Sequence, residues 1–133
     1  MKKKGAINAI RRKADAYQKQ MEQAIQMIED MPVDERFLIN IKGWGEKVRL
    51  VVEIAHYSTE SLRVRVIASN LKTGQFFNMW NKTRYDYKDI RENGMFTIRF
   101  KNIKSYTPWK NEESPLLVNF EYIHPSFKNE LFN

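Results

Sequence analysis

The stretch VRLVVEIAHYSTESLRVRVIAS, residues 48–69, decides the fold because apolar and polar side chains alternate twice within it. Alternation with a period of two places successive side chains on opposite faces of a β-strand. The two alternating segments therefore predict two strands, and the polar residues between them predict a turn. The side chains predicted to face inward are Val48, Leu50, Val52 and Ile54 in the first strand and Leu62, Val64, Val66 and Ala68 in the second.

The same alternation continues on both sides of this pair. Further strands are predicted in RFLINI, QFFNMW, MFTIRF and PLLVNFEYI, and Gly-containing turns lie between several of them. Six or seven antiparallel strands with one apolar face each predict a sandwich or a barrel, and we expect the sandwich. The aromatic side chains expected in its core are Phe37, Phe96, Phe100 and Phe120.

Residues 6–31 show a different period and predict one long amphipathic helix. Apolar residues recur there at alternating spacings of three and four, which is a heptad register. We expect this seam to pair with a second copy, so that residues 6–31 form a homo-oligomer. The seam contains Ile7, Ile10, Ala14, Tyr17, Met21, Ala24, Ile28 and Met31.

Pro32 ends the predicted helix, and the chain then divides into three parts. The expected organisation is a helix over 1–31, a linker over 32–36 and an antiparallel β domain over 37–133. The fold class is thus α+β and mainly β. A length of 133 residues suits a single hydrophobic core.

The composition excludes several classes of protein. The sequence has no cysteine, which rules out disulfides and thiolate metal sites and favours a cytoplasmic location. Apolar runs are short, so no membrane span is expected. His56 and His124 lie in no metal-ligand spacing, and no phosphate-binding glycine loop is present. We therefore expect no enzyme activity, no cofactor and no metal.

The acidic segment RYDYKDIRENG contains only part of a nuclease motif. Asp86 and Lys88 fit half of an acid-x-Lys motif that would hold Mg²⁺. That motif needs a second acid on a neighbouring strand, and QFFNMWN supplies none. Local pairing of alternating charges explains the segment more simply.

Positive charge is concentrated in the first residues. The net charge is +7, and residues 1–19 carry seven Lys and Arg against the single acid Asp15. Such an arm suits the phosphates of DNA or RNA. The residues predicted to contact phosphate are Lys2, Lys3, Lys4, Arg11, Arg12, Lys13, Lys19 and, from a later loop, Arg84.

Aromatic residues in turns form the second candidate set. Rings in such positions stack on bases, on sugars or on a neighbouring subunit, unless they fold back over the end of their own core. Both alternatives stay open for each residue. The candidates for stacking on a ligand are Trp44, Trp80, Tyr85, Tyr87 and Trp109.

Three stretches, GEKVRLVVEI, VRVIASNLKTGQFFNMWN and GMFTIRFKNI, carry a resemblance. Their order and turn glycines resemble the β-sandwich carbohydrate-binding domain at the C-terminus of O-antigen and teichoic-acid ABC transporter ATPases. The resemblance implies a sandwich and a glycan ligand. The chain departs from that family in having no ATPase portion and in carrying a basic helix.

The sequence therefore leaves three functions open. We expect first a non-catalytic nucleic-acid-associated protein, such as an accessory factor of a phage or mobile element. A glycan- or small-ligand-binding sandwich is the second, and a protein-interaction adaptor or inhibitor is the third.

Overall fold

A computed structural model describes residues 2–12, 18–76, 94–110 and 120–127. In these residues one antiparallel sheet of six strands follows two helices, so the expectation of a mainly β chain with helix in front is confirmed. The helices are α1 (Lys3–Arg12) and α2 (Gln18–Asp30). The strands are β1 (Arg36–Ile41), β2 (Leu50–Tyr57), β3 (Ser61–Ser69), β4 (Met95–Arg99), β5 (Ile103–Pro108) and β6 (Tyr122–Ile123).

The hairpin predicted from residues 48–69 is present as β2 and β3. Its register shifts between Val51 and Val52, so that Val51 pairs with Ala68 while Val52 pairs with Val66. This bulge changes the face on which the last residues of β3 lie. Ala68 packs with Val51 and Ile67 in a second cluster, so its predicted place beside Leu62 and Val64 was wrong.

The sheet curls strongly. Its order is β4-β3-β2-β1-β5, with β6 pairing the far end of β3. Strands β4 and β5 lie on opposite edges, yet only the 3-10 turn Phe100–Asn102 separates them along the chain.

Two hydrogen bonds hold this turn across the sheet. Phe100 N donates to Glu60 O (2.9 Å), and Lys42 N donates to Asn102 O (2.7 Å). In a flat sheet Glu60 and Lys42 would be separated by more than the length of eight-residue β2, about 26 Å. Three residues span about 10 Å at most, so the sheet must coil to bring its two edges together.

The helices fold back on each other, so the prediction of one long helix was wrong. Lys3 Nζ lies 2.9 Å from Glu29 Oε2, whereas 26 residues of continuous helix would separate them by about 39 Å. The seam itself was correctly identified, because Ile7, Ile10 and Ile28 are buried. They lie in one buried cluster with residues of the chain's own sheet, and pairing of residues 6–31 with a second copy stays a prediction. Ala14 and Tyr17 lie outside the described residues.

The main core fills the space between the helices and the inner face of the sheet. Buried side chains from both helices and from the strands form one continuous cluster. The second layer is thus the helix pair, and the described residues do not form the expected sandwich. Burial of this apolar surface is the main stabilising contribution to the fold.

A smaller cluster lies on the outer face of the sheet. Val51, Ile67 and Ala68 are buried there together with Trp109, and partly buried Phe120 and Phe127 pack against them. The segment 120–127 therefore covers one end of the outer face. Next to this cluster Glu53 accepts hydrogen bonds from Arg36 and Arg65, and the guanidinium of Arg36 lies 5.6 Å from the centre of the Phe127 ring.

The segment 32–36, predicted as a linker, is attached to β2. Asp34 N donates to Ile54 O (2.8 Å), and Ile54 N donates to Glu35 O (3.0 Å). Tyr57 Oη also donates to the carbonyl of Met31 (2.6 Å), where α2 meets the sheet. No helix among the described residues is long and apolar enough to cross a membrane.

Candidate anion-binding cleft

A cleft of about 550 Å³ opens where the helix pair meets the curled edges of the sheet. Its described walls come from the end of α1, the first half of α2, the residue after β1, the β2–β3 turn and the start of the 3-10 turn. These segments extend from residue 10 to residue 101 of the sequence. The curl of the sheet is what brings them to one place.

Three cations line the cleft: Lys42, Arg99 and Lys101. Alternation in β4 directs Phe96 and Ile98 into the core, and burial of Phe100 fixes the turn that follows. Arg99 and Lys101, on either side of Phe100, are consequently exposed.

The charges of these cations are not neutralised by described residues. Lys42, Arg99 and Lys101 form no ion pair within the described part of the chain, whereas Lys3 pairs with Glu29 and Arg65 with Glu53. One acid, Glu60, belongs to the described lining. Unneutralised like charges in a concave surface attract anions, because low-dielectric walls focus their field.

The rest of the lining is amide and apolar. Gln20 and Gln23 project from α2, and Ile10, Ala24 and Phe100 supply apolar surface. No histidine is among the described lining residues, and no group of three or more metal-ligating side chains occurs anywhere in the described chain. This chemistry suits binding of an anion that also has an uncharged part.

The basic arm predicted from the sequence is divided between two places. Arg11 and Lys19 are exposed and adjoin the cleft residues Ile10 and Gln20 in the chain. Lys2, Lys3 and Lys4 are exposed at the opposite end of α1, about 13 Å away along the helix. Lys13 and Arg84 lie outside the described residues, and so does the side chain of Arg12.

Lys2 and Lys3 border a second depression. It also contains Pro32, Val33 and His56. Because Lys3 is paired with Glu29, this depression has a lower density of unneutralised charge than the cleft.

Two of the predicted stacking aromatics are described. Trp109 is 3% exposed in the outer cluster, so its ring is not presented to a ligand. Trp44 is partly buried against the main core. Trp109 thus follows the alternative in which a turn aromatic folds back over its own core, whereas stacking of the partly exposed Trp44 on a ligand stays a prediction. Trp80, Tyr85 and Tyr87 lie outside the described residues.

Lys42, Arg99 and Lys101 were not among the candidates predicted from the sequence. The alternation in MFTIRFK already directs Arg99 and Lys101 outward around Phe100. What the sequence does not contain is their proximity to Lys42, since that depends on the curl of the sheet.

No family model, curated protein or solved structure matches the chain. The resemblance to transporter carbohydrate-binding domains therefore stays a prediction.

Proposed function

We propose that this protein is a non-catalytic nucleic-acid-binding protein and that the cleft contacts phosphates. The observation that carries this proposal is the convergence of Lys42, Arg99 and Lys101, none of which forms an ion pair with a described residue. Arg11 and Lys19 add positive charge from the adjoining helix ends. Nucleic acids present closely spaced phosphates, so several such cations engage one ligand together.

The charge distribution refines the expectation from the sequence. The arm was expected to contact phosphates through the whole of residues 1–19. Of the described basic residues of the arm, Arg11 and Lys19 adjoin the cleft residues while Lys2, Lys3 and Lys4 lie at the opposite end of α1, and α1 buries Ile7 and Ile10 in the core. Deleting the arm would remove core side chains as well as charge, so substitutions at the surface give the clearer test.

The test is fluorescence anisotropy with labelled single- and double-stranded DNA and RNA at several salt concentrations. The variant Lys42→Ala/Arg99→Ala/Lys101→Ala removes the cleft charges. The control Lys47→Ala/Lys72→Ala/Lys110→Ala removes the same charge from exposed positions outside the cleft. Light scattering on the same samples gives the oligomeric state.

We expect the chain to bind and the cleft variant to bind more weakly at every salt concentration. For single strands the slope of log K against log salt should fall by about 2, because about 0.7 counterions are released per phosphate contact. The control should keep most of its affinity. Equal losses in the two variants would mean that net charge alone drives binding, and no binding by the full chain would reject the proposal.

A further inference from the structure

The cleft combines two kinds of surface. Lys42, Arg99 and Lys101 provide positive charge, while Ile10, Ala24 and Phe100 provide apolar contact beside them. A phosphate alone requires only the first kind, because apolar surface gives an anion no stabilisation. The ligand that uses both has a charged group attached to an uncharged, largely apolar one.

Two glutamine amides in the cleft are available for hydrogen bonds. On the same helix, Gln18 Nε2 donates to Glu22 and Gln26 Nε2 donates to Asp30. Gln20 and Gln23 make no side-chain hydrogen bond to a described residue, and both line the cleft. Each amide offers donors and an acceptor, which matches the hydrogen-bonding edge of a nucleobase.

The size of the cleft favours an unpaired base over a base in a duplex. Its volume of about 550 Å³ lies in the range of small-molecule sites. In a duplex the bases are stacked and paired inside the helix, so only the backbone and groove edges could reach the cleft. An unpaired base can leave the stack and present its face and edge to a protein surface.

From these observations we infer that the cleft binds an unpaired nucleotide. Its phosphate lies against Lys42, Arg99 and Lys101, its base lies on the apolar surface, and the amides of Gln20 and Gln23 bond the base edge. This inference rests on the proposed function where the nucleotide is part of a strand. A free mononucleotide has the same chemistry, and the experiment separates the two sources.

The test uses three probes of about 12 nucleotides, a length within the range of single-strand sites. They are a labelled single strand, the same strand with abasic positions, and the duplex. The variant Gln20→Ala/Gln23→Ala removes the cleft amides. The matched control Gln18→Ala/Gln26→Ala removes two amides of the same helix that donate hydrogen bonds to Glu22 and Asp30. Titration of AMP, UMP and ribose 5-phosphate, followed through the glutamine side-chain NMR signals, tests free ligands.

We expect the abasic strand to bind about tenfold more weakly than the intact strand, as is usual when base contacts are lost. The Gln20/Gln23 variant should lose affinity for the intact strand with an unchanged salt slope, and its control should not. If the intact strand, the abasic strand and the duplex bind equally, the inference is wrong while nucleic-acid binding stands. If mononucleotides bind and no strand does, the inference holds for free nucleotides and the proposed function is wrong. If nothing binds, both are wrong.

Discussion

Tyr106 Oη donates a 2.7 Å hydrogen bond to Asp30 Oδ2, which joins the last residue of α2 to the edge strand β5. Burial first, and then the hydrogen bond and the negative charge of Asp30, raise the pKa of Tyr106 from 10.0 to about 12. The protonated phenol is thus favoured by the folded state. A titratable contact connects the helix layer to the sheet.

The stability of the fold should consequently fall in alkaline solution. Because the pKa of Tyr106 is higher in the folded state, its contribution is fully present below pH 10.0 and is lost as pH rises toward about 12. Urea unfolding at a series of pH values measures this loss. Tyr106→Phe should reduce the free energy of unfolding by about 1 kcal/mol near neutral pH, through the lost hydrogen bond.

The same variant should lose less stability than the unsubstituted chain between pH 10.0 and about 12. Tyr122, whose pKa burial also raises to about 12, is present in both proteins and cancels in the comparison. Parallel pH profiles would show that Tyr106 does not contribute to the alkaline loss.

The burial of α1 predicts a large effect at Ile10. This side chain is 2% exposed in the main core, so Ile10→Ala should lower the free energy of unfolding by about 2–4 kcal/mol. Lys4→Ala, on the exposed side of the same helix, should change it by less than about 0.5 kcal/mol. Chemical unfolding followed by circular dichroism measures both.

The dependence of the unfolding midpoint on protein concentration tests whether Ile10 is covered by the chain's own sheet or by a second copy. Packing inside one chain predicts an unfolding midpoint that is independent of protein concentration. A midpoint that rises with concentration, and does so less in Ile10→Ala, would instead indicate that a second copy covers Ile10.

Gly94 and Gly74 differ in backbone conformation and in surroundings, so replacing each by alanine should have different effects on stability. Gly94 has a φ of +69°, and an added Cβ would lie 3.2 Å from both Val66 O and His124 Cδ2. Gly94→Ala should therefore destabilise the fold by about 1–3 kcal/mol.

Gly74 has nothing within 4 Å of an added Cβ and no positive φ. It lies in the helical segment 73–76, so Gly74→Ala should be neutral or stabilising by about 0.5–1 kcal/mol. Thermal unfolding of the two variants checks the contrast. Equal effects would contradict the close approach of Gly94 to β3 and His124.

The sequence predicted those features that depend on local periodicity. Alternation located the hairpin of β2 and β3, and the three-four spacing identified Ile7, Ile10 and Ile28 as one buried face. The same spacing continues through Ala14 and Tyr17 without a proline or glycine, so it could not show that the chain turns back between α1 and α2.

Features that depend on tertiary structure were not predictable in this way. A heptad seam fits a partner helix and a sheet equally well, since both offer apolar surface. The bulge at Val51 and Val52 has no signature in the alternation, and it moved Ala68 to the outer cluster. The cleft unites Lys42, Arg99 and Lys101 only because β4 and β5 meet when the sheet curls.

Removing the charge of Glu60 should change the affinity for an oligonucleotide in the opposite direction to removing the cleft cations. Glu60 is the acid among the described cleft residues, and its carboxylate repels a phosphate bound to Arg99 or Lys101. Its structural role is played by the backbone, because Glu60 O accepts the hydrogen bond from Phe100 N. Glu60→Gln should therefore keep the fold and increase the affinity for an oligonucleotide about two- to fivefold, through reduced Coulomb repulsion.

The control is Glu121→Gln, which removes the same charge from an exposed position outside the described lining of the cleft. Anisotropy titrations of the two variants at about 150 mM salt compare them where distant charges are mostly screened. An increase confined to Glu60→Gln indicates that the phosphate lies near Glu60. Equal increases, or none, would place the bound phosphate away from the cleft, and the cation variants would then be expected to lose no more affinity than their own control.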